Sequence, residues 1–133
     1  MQAGQLIGLD LGQSKTGLAR ASSVARLAEP VKTIPTTEVI DELKHMAEGG
    51  ELNAIIVGLP RNLNGEDTDQ TRWVRDWVER AKAELPQTHF YWQDEALTSQ
   101  LASKRDAKGQ SEDALAASII LQDFLDASEK DKA

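Results

Sequence analysis

An aspartate stands inside an apolar run near the N-terminus, Leu6-Ile7-Gly8-Leu9-Asp10-Leu11-Gly12, and that one position restricts what the chain can become. A continuous apolar run of this length suits a strand buried in the middle of a sheet. An ionised carboxylate withdrawn from water is so costly that a fold retains it only with a cation, a hydrogen-bonding partner or a raised pKa. Two further acidic pairs return at Asp94-Glu95 and Glu112-Asp113. Carboxylates recurring in this way point to a divalent-metal site, and through it to phosphoryl chemistry.

The 133 residues fit one domain spanning 1–133, a length that buries roughly two-thirds of the surface of the unfolded chain. Hydrophobic residues at 40% and charged residues at 28% are the proportions of a folded globular protein, with only the last few residues expected to fray. The absence of cysteine excludes disulfides, thiolate metal sites and a cysteine nucleophile, and agrees with a reducing cytosol. No apolar stretch approaches the roughly 18 residues that span a bilayer. The N-terminus has neither a basic region nor a long apolar segment of the secretory kind, so the expectation is a soluble, cytoplasmic protein with no membrane partner.

A formal charge of −7 runs against the broad basic surface usual in nucleic-acid binders. Bound cations would mask the carboxylates. Local basic groups (Lys15, Arg20, Arg61, Lys104, Arg105 and Lys108) also lie near the acidic positions in sequence.

The chain opens as three extended segments, Leu6 to Leu11, Thr16 to Ala21 and Ala28 to Ile34, the last closed by Pro35. Gly12 and Gly17 enclose four residues with no Lys-Ser/Thr after the second glycine, so they mark a hairpin and not a phosphate-binding P-loop. Thr36 or Thr37 is placed to cap a helix over Glu38 to Glu48, with Ile40, Leu43 and Ala47 on one face and Gly49-Gly50 at its end. Ala54 to Val57 is a short buried parallel strand, and Gly58 to Gly65 a loop of the kind that lines sites at strand carboxyl ends. A helix over Asp67 to Glu84 presents Trp73, Val74, Trp77, Val78 and Ala81 on one face. Phe90 to Gln93 is the next strand and ends at Asp94-Glu95. Thr98 to Ala107 reads as helix and Gly109 as its break. Ser111 caps a last helix carrying Leu115, Ile119, Leu121, Phe124 and Leu125.

The order βββαβαβα is that of a ribonuclease H-like α/β fold, a five-stranded mixed sheet in the order 3-2-1-4-5 flanked by helices. Asp10 then lies on the central strand, Asp94-Glu95 at the end of a parallel neighbour and Asp113 on a helix packed against the sheet. Three distant positions meet at one edge, as two-metal catalysis requires of oxygen ligands holding two Mg²⁺ or Mn²⁺ ions about 3.5 to 4 Å apart.

The residues resemble one family. Gly8-Leu9-Asp10-Leu11-Gly12 with Thr16-Gly17-Leu18-Ala19, Ile56-Val57-Gly58-Leu59-Pro60 with Asn64-Gly65, Asp94-Glu95-Ala96-Leu97-Thr98, and Asp113-Ala114-Leu115-Ala116-Ala117 with Ile119-Ile120-Leu121-Gln122 are similar to blocks of the YqgF (RuvX) family, in the family's order and over nearly the whole chain. That family is described as ribonuclease H-fold bacterial proteins, candidate pre-16S rRNA nucleases and Holliday-junction-resolvase-like. The resemblance implies that Asp10, Glu95 and Asp113 are the catalytic and metal-holding residues, and that the chain hydrolyses phosphodiester bonds of precursor rRNA in ribosome biogenesis. Where the family carries an arginine after the glutamate this chain has Ala96, which implies a missing phosphate contact, and Ser103 to Glu112 is less basic than its counterparts.

Other readings compete at the same residues. Branched or single-stranded DNA would use the same chemistry, and a junction resolvase would be a homodimer where an rRNA nuclease could be a monomer. Gly8-x-Asp10-x-Gly12 also resembles the first phosphate motif of actin-like kinases, which need two such domains. A non-catalytic nucleic-acid-binding module is the third. Asp94 and Glu112 are candidates for supporting acids or for plain surface charge, and Lys15 and Arg61 for phosphate contacts. Trp73 and Trp77, one turn apart, fit a core or interface better than base stacking, and His45 and His89 lack a second ligand at metal-binding spacing.

Overall fold

The computed structural model describes residues 4–95, 112–127 and 131–133. The helix expected over Thr98 to Ala107, its break at Gly109, the cap at Ser111, the cations Lys104, Arg105 and Lys108, and Ala96 all lie outside the described residues. The strands are β1 (Gln5–Leu11), β2 (Lys15–Ser22), β3 (Glu29–Pro35), β4 (Leu52–Pro60), β5 (His89–Glu95) and β6 (Asp131–Lys132). The helices are α1 (Val39–Glu48), α2 (Asp69–Glu84) and α3 (Glu112–Asp126).

All strands join one sheet in the order β3-β2-β1-β4-β5-β6. The β1–β2 and β2–β3 pairs are antiparallel, β1–β4 and β4–β5 are parallel, and the 3-2-1-4-5 order read from the sequence is the order found. The sixth strand is a correction. Residues 131–132 add antiparallel to β5, and the Ala133 amide donates to the Phe90 carbonyl at 2.9 Å, because an otherwise bare strand edge supplies backbone partners that composition does not reveal.

Strand alternation divides the core in two. On one face Ile7, Leu9, Leu11, Leu18, Ile55, Val57 and Leu59 meet Val39 and Leu43 of α1 and Val74, Trp77, Val78 and Ala81 of α2. Each large side chain among them is worth on the order of 1.5–3 kcal/mol in surface withdrawn from water. Trp77 is core and Trp73 packs at its margin, so the pair is structural. On the other face α3 lays Ala117, Ile120, Leu121, Phe124 and Leu125 onto Leu6, Ala19, Ala21, Ala54 and Ile56. The expected stripe of α3 is thus shifted: Leu121, Phe124 and Leu125 are buried as read, Leu115 and Ile119 are only half-buried, and Ala114, Ala116, Ala117 and Ile120 are buried in addition.

Three local expectations are also corrected. Thr36 does not cap α1. It opens a 3₁₀ turn, Thr36–Glu38, and its buried hydroxyl bonds Thr16 Oγ1 at 2.8 Å and donates to the Gly12 carbonyl at 2.6 Å. The strand after α1 is longer than Ala54 to Val57, and Gly58, Leu59 and Pro60 continue it through pairing with Gln93, Asp94 and Glu95. The loop therefore begins at Arg61. Helix α2 starts two residues late because Thr68 is its N-cap, accepting from the Thr71 amide at 3.2 Å while Thr71 Oγ1 accepts from the Thr68 amide at 2.9 Å. The Gly12–Gly17 hairpin and the Gly49-Gly50 stop are found as read, with the Gly12 amide bonded to the Lys15 carbonyl and Gly50 at φ +75°.

Candidate active site at the carboxyl edge of the sheet

Register decides which acidic side chains share a face. Asp10 pairs with Gly17 of β2, and in β4 the partners run Leu9↔Val57, Gly58↔Gln93 and Pro60↔Glu95. Alternation from Gly8 and Ile56, both against α3, puts Asp10, Gly58 and Glu95 on that same face, at the carboxyl ends of the parallel strands. Gly58 makes the room: a β-carbon there would stand 2.5 Å from Ile120 Cδ1 and 3.4 Å from Glu95 Cγ. Gly17 makes room of another kind, since any side chain at it would collide with the Asp113 carbonyl. The first turn of α3 is thereby seated on the residue that pairs with Asp10.

Glu95 is the most perturbed group of the site. It is 4% exposed, and its buried Oε1 has no hydrogen-bond partner among the described residues. Burial, and then the charges of Asp123, Asp10 and Asp94, push its carboxyl up to about 8. A glutamate buried among acids is what a site looks like when the chemistry it serves needs a compensating positive charge. Asp10 is half-buried and couples to Glu95 through its charge, so these two sequence candidates are brought together. Asp113 is half-buried in the first turn of α3.

Among the described residues, no three His, Asp or Glu side chains close into a set able to grip one ion. The donor chemistry nevertheless fits a hard divalent cation: oxygen ligands only, an orphaned buried carboxylate oxygen, and repulsion among acids that a cation would relieve.

Asp123 is the acid that sequence reasoning missed. Its charge is the largest acting on Glu95, ahead of Asp10, and its own carboxyl is raised by burial and by Asp126. The available signal was helical spacing: Asp123 stands three residues after Ile120, the side chain that packs on Gly58.

The remaining candidates sit at the rim. Asp94 is exposed and paired with Arg61, whose Nη1 lies 3.3 Å from Asp94 Oδ2. Arg61 also places Nε 3.3 Å from Asp67 Oδ1, without the alignment of a hydrogen bond. Glu112 and Lys15 are exposed, as are His45 and His89. No helix among the described residues is long and apolar enough to cross a membrane.

A mixed sheet in this order, with a helix closing over its carboxyl edge, is the ribonuclease H-like fold. The family model for RuvX, described as Holliday junction resolvase, matches residues 4–127, and the chain belongs to that family. Relatives named "Putative pre-16S rRNA nuclease" include that of Rubrobacter xylanophilus, 33% identical over 92% of this chain and 93% of the relative, and that of Orientia tsutsugamushi, 32% identical over 97% and 88%. Among solved structures, Thermus thermophilus RuvC in complex with Holliday junction substrate superposes with a TM-score of 0.60 at 13% identity, covering 97% of this chain and 99% of that one. This likeness carries the fold. Family and fold together make the chain a nuclease, a hydrolase that cuts phosphodiester bonds.

Proposed function

We infer that the whole chain, 1–133, acts as one divalent-metal-dependent nuclease domain whose substrate is the precursor of 16S rRNA, with Asp10, Glu95 and Asp113 holding Mg²⁺ or Mn²⁺. The observation that carries this reading is Glu95: a buried glutamate with an oxygen unpartnered among the described residues, on the same sheet face as Asp10 and with its carboxyl raised in part by the Asp10 charge, inside a RuvX match. The name borne by the relatives supports RNA as substrate, and rRNA processing implies a cytoplasmic site of action. When bound, a divalent ion supplies an activated water and neutralises the charge that develops on the leaving 3′-oxygen.

The residues contribute around that chemistry. Asp10 pairs with Gly17 of β2, and Leu9 before it pairs with Val57 of β4, which gives its carboxylate a rigid origin. Glu95 at the end of β5 holds a proton near neutral pH when no cation is present, and ionises when one is. Asp113 stands in the first turn of α3, whose backbone packs on Gly17, and its carboxylate would complete the set. The description of the family model favours a second reading, cleavage of branched DNA.

Labelled precursor 16S rRNA, a single-stranded RNA and a four-way DNA junction, each incubated with Mn²⁺, Mg²⁺ or chelator, test both readings. Asp10→Asn should lower cleavage by at least about 100-fold with its circular dichroism unchanged. Wild-type cleavage in chelator, or an Asp10→Asn variant as active as its parent, would sink the metal-site assignment. Preference for the junction over rRNA would move the substrate to DNA.

A further inference from the structure

Arg61 is the first residue beyond β4. It directly follows Pro60, the register partner of Glu95, while Asp94, its ion-pair partner, directly precedes Glu95. We propose that Arg61 is a phosphate-binding residue held in reserve by Asp94, handing its guanidinium to a backbone phosphate when nucleic acid lies across the carboxyl ends of β4 and β5. This rests on the nuclease reading and adds to it a residue that positions substrate without touching the ion.

The loop that carries Arg61 is a built frame. Asn62 Oδ1 accepts from the amides of Asn64 at 3.0 Å and Glu66 at 2.9 Å, and the Asn62 amide donates to the Glu66 carbonyl. Gly65 turns the chain at φ +77°, and Thr71 Oγ1 donates to the Pro60 carbonyl. Arg61 is therefore presented from a fixed backbone, and only its side chain has to move.

Its present contacts are poor ones for an arginine. Charge-assisted N–H···O bonds run at about 2.7–2.9 Å, and a guanidinium has five donors to place. Arg61 makes a single hydrogen bond among the described residues, to Asp94 at 3.3 Å, and its buried Nε has no hydrogen-bond partner. A phosphate oxygen offers the bidentate geometry that these contacts lack.

Release of Arg61 also leaves little unpaired. Asp67 keeps Arg75, whose Nε stands 3.3 Å from Asp67 Oδ2 and whose guanidinium lies 5.5 Å from the Trp92 ring centroid. Asp94 has a 61% exposed side chain and passes to water. In a chain of net charge −7 the same carboxylate, until exchanged, masks a cation at this edge.

The test measures binding in chelator, where cleavage is silent, by fluorescence anisotropy of labelled single-stranded RNA and of a four-way junction between 50 and 300 mM salt, on the order of one decade. Arg61→Gln should weaken binding about fivefold and reduce the slope of log affinity against log salt by about 0.7–0.9, one phosphate contact, while Arg61→Lys keeps most of the slope. Asp94→Asn should tighten binding severalfold in the parent and not in the Arg61→Gln background. Equal tightening in both backgrounds would reduce Asp94 to general repulsion and overturn the proposal, as would an unchanged slope in a correctly folded Arg61→Gln. A wild type that binds neither nucleic acid would bring down the nuclease reading itself.

Discussion

The carbonyl of Asp113 rests on the α-carbon of Gly17, so the first turn of α3 is positioned by a residue of β2 that has no side chain to offer. Gly17 is in turn the strand partner of Asp10. The spacing between two of the candidate acids is thus set by backbone packing, and two predictions follow from the absence of side chains along this groove.

In Gly17→Ala the added methyl strikes the Asp113 backbone and α3 must shift. Overpacking of this kind costs about 1–3 kcal/mol, and nuclease activity should fall further than the lost stability explains. Thermal denaturation and cleavage assays on the same preparation separate the two. A variant with full activity would show that the seat of α3 on β2 is not critical.

Gly58→Ala meets Ile120 Cδ1 and Glu95 Cγ instead. Ile120 has a side chain that can rotate, so the stability loss should be smaller than for Gly17→Ala, by roughly 1 kcal/mol. Denaturant midpoints of the two variants check the order, and the reverse order would contradict the packing described for α3.

Glu95 makes the metal-free protein sensitive to pH. Its carboxyl sits at about 8 in the fold against 4.5 for the free group. Below 4.5 both folded and unfolded chains hold the proton. Between 4.5 and about 8 only the folded chain does, so stability falls as pH rises through this window, by an amount on the order of 5 kcal/mol. The raised carboxyl of Asp123 acts in the same direction. Chemical denaturation in chelator at pH 5 and pH 8.5 should show the fall in the parent and a much flatter response in Glu95→Gln.

Divalent ions should reverse that loss. At about 100 times its dissociation constant an ion adds roughly 2.7 kcal/mol. Mn²⁺ or Mg²⁺ at pH 8 should therefore raise the melting temperature of the parent by several degrees, and of Asp10→Asn and Glu95→Gln by much less. Equal shifts in all three proteins would remove these residues from the ion's coordination.

Thr68→Ala removes the hydroxyl that caps α2 and should cost about 1 kcal/mol, read as a shifted denaturant midpoint with unchanged slope. Activity at low temperature should be unaffected, since Thr68 lies outside the acidic edge.

Much of this was legible in the residue order. An apolar run around Asp10, the Gly49-Gly50 stop and the acids closing β5 were enough to read the order of the five long strands and to make Asp10 and the Asp94-Glu95 pair candidates, because strand burial and helix ends leave local signatures, while the preference for Glu95 came from the family resemblance. Edges and caps were less so. Thr36 looked like a cap because its alternative partners, Thr16 and Gly12, are 20 and 24 residues away. Gly58 to Pro60 looked like loop because glycine and proline punctuate, and only pairing with β5 holds them extended.

Sequence by itself determined the order of the five long strands and set acids at the carboxyl ends of β1 and β5, since periodicity and the cost of a buried carboxylate are properties of a few neighbouring residues. Tertiary structure alone decided that Asp123 bears on Glu95, that Arg61 is tied to Asp94, and that two glycines set the height of α3 above the sheet. Those relations arise between segments separated by tens of residues, where the deciding quantity is distance through space.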